Sequence, residues 1–189
     1  MKKIILASGS PRRRQILAEM GLTFEIIKSP FVEEFDHSHF SYQEIERLAF
    51  GKARAVADNI NEDCLVIGAD TVVVLDDKVL GKPKDFNEAK LMLETLSGKR
   101  HFVVTSICVI DTKTNTTKID STTSYVEFNK LSDEIITSYI NDFKPYDKAG
   151  SYGIQELPSG FAKNVDGSFD NIIGLSSDSL SKLLSLIHI

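Results

Sequence analysis

One carboxylate stands inside the longest apolar run of this chain. Asp70 lies between Cys64 and Leu80, with Leu65-Val66-Ile67 before it and Val72-Val73-Val74-Leu75 after it. β-Branched residues bounded by Gly68 and by the turn pair Asp76-Asp77 predict a buried strand. An ionisable group there costs free energy unless it is paired, hydrated or bound to metal. From the segment alone two readings stand open: an Asp that caps a bend after Gly68, or a carboxylate kept for chemistry. Cations and a phosphate-type loop elsewhere in the chain favour the second, and Asp70 becomes the leading catalytic candidate.

That loop is Ser8-Gly9-Ser10-Pro11, followed at once by Arg12-Arg13-Arg14. Lys3–Ala7 predicts a strand before it. Ile16, Leu17 and Met20 recur at helical spacing after it, with Gly21 as the stop. Ser10 is placed to cap the helix, with Pro11 at its first position. A strand, a small-residue loop and a helix N-terminus present backbone N–H groups and a positive dipole end to an anion. Two arginines in that first turn oppose the dipole, and a bound polyphosphate would relieve the conflict. The pattern is neither GxxxxGK[ST] nor GxGxxG.

Three further stretches supply side chains of the right type. Glu33, in the acidic loop Phe31–Asp36, carries oxygens suited to a divalent cation near phosphate. Ser41 opens a helix with Glu44 as its capping box, and Lys52 falls among the apolar positions of that helix, where it either snorkels or acts. After the Asp76-Asp77 turn, a return strand brings Lys82 back towards the end carrying Asp70. Lys144–Gln155 is long, Gly-containing and mixed in charge, which suits a binding loop. Its Gln155 has the donor and acceptor needed at a nucleobase edge, although on spacing alone a solvated loop glutamine is the better reading.

These residues need elements to position them. Helices are expected over Phe86–Ser97, Asp133–Phe143 and Asp178–Ile187, and strands over Thr23–Lys28, His101–Asp111 and Lys118–Phe128. Phe161–Val165 and Phe169–Ile173 read as a strand pair across the Asp166-Gly167 turn. The 189 residues, 42% hydrophobic and 26% charged, suffice for one domain over residues 1–189 without a linker. A net charge of -5 argues against general nucleic-acid binding. Cys64 and Cys108 read as small buried hydrophobes, and His37, His39, His101 and His188 show no zinc spacing. No apolar run approaches the roughly 20 residues of a membrane span, and a cytoplasmic location is expected.

The motifs Leu6-Ala7-Ser8-Gly9-Ser10-Pro11-Arg12-Arg13, Lys52-Ala53, Gly68-Ala69-Asp70-Thr71-Val72-Val73, Gly81-Lys82-Pro83, Leu96-Ser97-Gly98 and Asp147–Gln155 together resemble the Maf family, in order along nearly the whole chain. The resemblance implies an α/β fold: a long mixed β-sheet in two lobes with flanking helices and a central cleft, similar to inosine triphosphate pyrophosphatases. It implies a nucleoside triphosphate pyrophosphatase that cuts between the α- and β-phosphates with a divalent cation, Mg²⁺ or Mn²⁺. By the same resemblance Asp70 is the proton acceptor, Ser8, Arg12 and Arg13 bind phosphate, Lys52 and Lys82 match the family's site lysines, and Glu33 is the metal or water-positioning acid. Arg12, Thr71 and Gln155 resemble the set marking the dTTP/UTP branch. The family name also carries an alternative, a non-enzymatic nucleotide-binding regulator of septum formation, and the family suggests a homodimer. One departure is Gly174-Leu175-Ser176, where the family usually has Gly-Leu-Pro.

Overall fold

In the computed structural model, which describes residues 2–187, the elements follow in the order β1 (Lys3–Leu6), α1 (Pro11–Glu19), β2 (Phe24–Ile26), α2 (Tyr42–Ala57), β3 (Cys64–Leu75), β4 (Lys78–Leu80), α3 (Phe86–Leu96), β5 (Arg100–Asp111), β6 (Thr117–Phe128), α4 (Asp133–Phe143), β7 (Ala162–Asp166), α5 (Phe169–Ile173) and α6 (Ser177–Ile187). His188 lies outside the described residues. Two short 3₁₀ turns, Ala149–Ser151 and Ile154–Glu156, interrupt the long connection after α4. No helix among the described residues is long and apolar enough to cross a membrane.

Alternation along β3 decides the layers, because successive side chains of a strand point to opposite faces. Its odd-numbered residues Leu65, Ile67 and Ala69 pack with Ile16 and Leu17 of α1 and Leu180 and Leu183 of α6. Further along the same face, Val73 and Leu75 pack with Leu93 and Leu96 of α3 and Ile136 and Ile140 of α4. The even-numbered Cys64 and Val66 meet Ala49, Ala53 and Val56 of α2. That helix presents small residues to the sheet, and Gly68 lets it come very close: a Cβ there would stand 2.4 Å from the Ala49 carbonyl oxygen and 2.6 Å from the Ala53 nitrogen.

The seven-stranded sheet runs β2-β1-β3-β5-β6-β7, with β4 also on β3. β1 is parallel to β2 and β3, whereas β4, β5, β6 and β7 pair antiparallel. One edge of β3 therefore changes partner midway. Its ladder with β1 ends at Leu6↔Ile67, and the ladder with β4 begins at Val73↔Leu80. Between them residues 68–72, with Asp70 at their centre, have strand pairing only on the β5 side.

Two expectations are corrected. Phe169–Ile173 is helix α5, not the second strand of a hairpin. Ser168 caps it by accepting from the Asn171 N–H, and Gly167 turns the chain with a φ of +100°. Buried Asn171 then bonds the Thr105 N–H and Val103 carbonyl of β5, holding α5 over the sheet. The Ser41 cap is present, but the Glu44 carboxylate engages Arg47 instead of returning to the cap. At the family departure, Ser176 accepts from the Ser179 N–H and so begins α6 without a proline.

Candidate active site

The stretch of β3 between its two partners opens into a cavity of about 340 Å³. Arg12, Arg13, Lys52, Lys82 and Lys148 line it, opposed by the carboxylates Glu33, Asp70 and Asp147. Thr71 and Gln155 also line it, so all but one of the residues singled out in the sequence reach the same space. The exception is Ser8. It is buried behind the loop, where its Oγ accepts from the Ser10 N–H (3.2 Å) and from Arg13 Nη1 (3.4 Å).

The anion-facing wall is built from the start of α1. Ser10 accepts from the Arg13 N–H, Pro11 occupies the first turn, and no acid stands there to offset the arginines. Arg13 is held through its fork: Nε donates to the Gly174 carbonyl at 2.8 Å and Nη2 to Thr71 Oγ1 at 3.1 Å. Burial pulls its pKa below the usual guanidinium value, with the Asp70 charge opposing that pull. A guanidinium remains charged nonetheless. Thr71 Oγ1 is shared with Thr105 Oγ1 (2.9 Å) and the Gly174 carbonyl (3.2 Å), so in this arrangement the hydroxyl orients Arg13.

Asp70 and Thr71 leave β3 on opposite faces. Asp70 points to the α2 side, where Lys52 lies between Ala49 and Ala53, the residues of closest helix–strand approach. Its Oδ1 accepts from Lys52 Nζ, and the same ammonium stands 2.8 Å from Glu33 Oε1. One cation thus bridges two carboxylates. The Lys52–Asp70 pair is largely buried, with side chains only 13% and 9% exposed, whereas Glu33 is half-exposed. Burial raises the Glu33 pKa, but Lys52, Lys82 and Arg13 outweigh it and hold the group below the ordinary carboxylate value. Two hard oxygen donors near the Arg12 and Arg13 wall fit the chemistry of Mg²⁺ or Mn²⁺, which keep waters and take few protein ligands. Among the described residues no group of three His, Cys, Asp or Glu could hold a metal ion by itself.

The connection after α4 closes the far side. Gly150 adopts a φ of +67° and packs against Val73, while its N–H donates to the Gly81 carbonyl beside Lys82. Tyr152 lines the cavity and its hydroxyl bonds buried His101 Nε2 at 2.8 Å. Gln155 is exposed in the second 3₁₀ turn and lines the cavity. Sequence reasoning singled out this stretch but not Asp147, Lys148 or Gly174 as contributors. Asp147 and Lys148 lay within the quoted motif; Gly174 acts through its carbonyl, which leaves no side-chain signal to find.

The family model described as Maf-like protein matches residues 3–187. A dTTP/UTP pyrophosphatase of Ruminiclostridium cellulolyticum is 42% identical over 189 residues, 100% of this chain and 97% of that one. A dTTP/UTP pyrophosphatase of Alkaliphilus oremlandii is 46% identical over 176 residues, covering 93% of this chain and 91% of the relative. Among solved structures, a HAM1 protein from Coxiella burnetii aligns with a TM-score of 0.57 at 16% identity, over 98% of this chain and 100% of that one. At that identity the likeness concerns the fold.

Proposed function

The chain belongs to the Maf-like protein family, and on that premise we propose that it is a nucleoside triphosphate pyrophosphatase acting on dTTP and UTP. The observation that carries the reading is Asp70, a carboxylate 7% exposed, held by Lys52 inside a cavity whose other cations suit a polyphosphate. The names of the curated relatives support the same activity.

In this reading Arg12, Arg13 and Lys82 bind the phosphate oxygens and neutralise charge that builds up during reaction. Asp70 takes the proton of a water in line with the α-phosphorus, a P–O bond forms there, and the bond to the α–β bridging oxygen breaks. The nucleoside monophosphate and pyrophosphate are the products. Lys52 holds Asp70 in place through its ammonium, and Glu33 shares that lysine. Glu33 and Asp70 would hold a divalent cation, which when bound supplies Lewis-acid stabilisation of phosphate oxygens. Gln155 offers both a donor and an acceptor to a pyrimidine edge, which is how a site rejects bases of the wrong pattern. No feature of the cavity favours the binding-only regulator.

The test is pyrophosphate release from a panel of nucleoside triphosphates, with and without Mg²⁺ or Mn²⁺. Metal-dependent release confined to dTTP and UTP is expected. Asp70→Asn should lower turnover by about 10²–10⁴-fold while leaving nucleotide affinity largely intact. Near-normal turnover in that variant would overturn the role of Asp70, and no release from any triphosphate would overturn the activity.

A further inference from the structure

Four charges run in a chain along one rim of the cavity. Arg12 Nη1 donates to Asp147 Oδ2 at 2.7 Å, and Nη2 donates to the Asp147 backbone carbonyl at 3.2 Å. The other carboxylate oxygen, Oδ1, accepts from Lys148 Nζ at 2.9 Å. Lys148 Nζ lies 3.3 Å from Glu156 Oε2. The chain therefore begins in the first turn of α1, on the phosphate side, and ends in the 3₁₀ turn that carries Gln155.

Resting on the pyrophosphatase reading, we propose that Asp147 is a positioning residue that fixes the Arg12 guanidinium for the polyphosphate, and that Lys148 and Glu156 brace it against the loop of Gln155. Three features favour positioning over a chance surface pair. The hold on Arg12 is two-point, one bond from the carboxylate and one from the main chain of the same residue, so the plane of the guanidinium is set as well as its distance. The far end of the chain is tightly packed. Lys148 is 9% exposed, and a Cβ at Gly153 would fall 2.9 Å from both Lys148 Cε and Glu156 Oε2. Lastly, burial raises the Asp147 pKa, but Arg12 and Lys148 overcome it and hold the carboxyl down at about 2, so the brace stays ionised at any ordinary working pH.

Magnitude separates this role from a stabilising one. Asp147 is more than half exposed, and solvent-screened pairs of that kind contribute about 0–1 kcal/mol to folding. Asp147→Ala should therefore fold normally. Its effect appears only when a ligand needs Arg12 in a fixed orientation, since an unbraced arginine must be ordered again on binding. Arg12 is then the necessary intermediary, and this is what a double-mutant cycle detects.

The experiment measures calorimetric affinity for a non-hydrolysable UTP analogue with a methylene group between the α- and β-phosphorus, in wild type, Asp147→Ala, Arg12→Ala and the double variant. Steady-state pyrophosphate release from UTP is followed in parallel. Asp147→Ala is expected to weaken binding by up to about tenfold, the cost of ordering one arginine side chain on binding, and to raise KM with little change in kcat. In the Arg12→Ala background the same substitution should change nothing. Asp147→Glu, which keeps the charge, should restore part of the affinity, and Glu156→Gln should weaken binding in the same direction by a smaller factor. Additive losses in the double variant, unchanged affinity in Asp147→Ala, or tighter binding (an acid that blocks Arg12) would each overturn the proposal. The binding cycle decides this even if wild type released no pyrophosphate, an outcome that would fall on the activity instead.

Discussion

Gly68→Ala tests whether the contact between α2 and β3 sets the site. The added Cβ would lie 2.4 Å from the Ala49 oxygen, 2.6 Å from the Ala53 nitrogen and 2.9 Å from the Ala53 Cβ. Ordinary contact begins near 3.4 Å, so α2 must retreat by roughly 1 Å. Two of the three opposing atoms are main chain in the middle of a 16-residue helix, and no side chain can swing aside to absorb the strain. Overpacking of this kind costs about 1–3 kcal/mol, and a backbone clash belongs at the upper end. For a chain of this size each kcal/mol is worth about 2–4 °C, so Tm should fall by roughly 6–12 °C. Turnover should fall further than stability alone requires, because Lys52 precedes Ala53 and would be drawn away from Asp70 and Glu33. A misplacement of about 1 Å at a reacting group can cost on the order of 10²-fold. Thermal melting and UTP turnover on the same preparation measure both. Exposed Gly9, where a Cβ meets nothing nearer than 3.8 Å, serves as the stability control. Wild-type Tm and turnover in Gly68→Ala would refute the reasoning outright.

Two further perturbations follow from the buried polar groups. Burial pushes His101 down to about 4 from its model-compound 6.5, against a pull from the Lys99 backbone. Between those values the unfolded chain takes up a proton that the native protein does not, so stability falls as the pH drops below 6.5 and stops falling for this reason near 4. At about 1.4 kcal/mol per pKa unit the full loss approaches roughly 3 kcal/mol; His101→Phe should flatten that limb of a Tm-against-pH curve, and an unchanged slope would exclude His101 as its source. Arg13→Lys keeps the charge but gives up a fork that reaches Ser8, Thr71 and Gly174 at once. At least about a tenfold loss in kcat/KM for UTP is expected, at 1.5–3 kcal/mol for one charge-assisted bond, and parity with wild type would show that charge alone suffices.

Local chemistry made part of this protein legible from its residues in order. The β-branched run around Asp70, the Ser10-Pro11 helix start and the 3.6-residue spacing of the helices are short-range properties, and the strands and helices they predict are present with small shifts at their ends. Phe169–Ile173 departs from the expected strand for a related reason. Its five residues carry too little period to separate strand from helix, and the Asp166-Gly167 turn suits either continuation. Only the Ser168 cap and the buried bonds of Asn171 to β5 decide for helix.

What the linear order withholds is which chemical groups meet. Arg12 and Asp147 are 135 residues apart, and Arg13 and the Gly174 carbonyl 161 apart, yet each pair is in hydrogen-bond contact. They meet because β3 exchanges β1 for β4 along one edge, which opens a cavity that α1, α2 and the loop after α4 can all reach. The residue types at the site were fixed by sequence, since a carboxylate or guanidinium keeps its chemistry wherever it lies. Their pairing was decided by the fold. Lys52 bridging Asp70 and Glu33, and Thr71 turned away from Asp70 to hold Arg13, depend on distances that close only after strands and helices have packed.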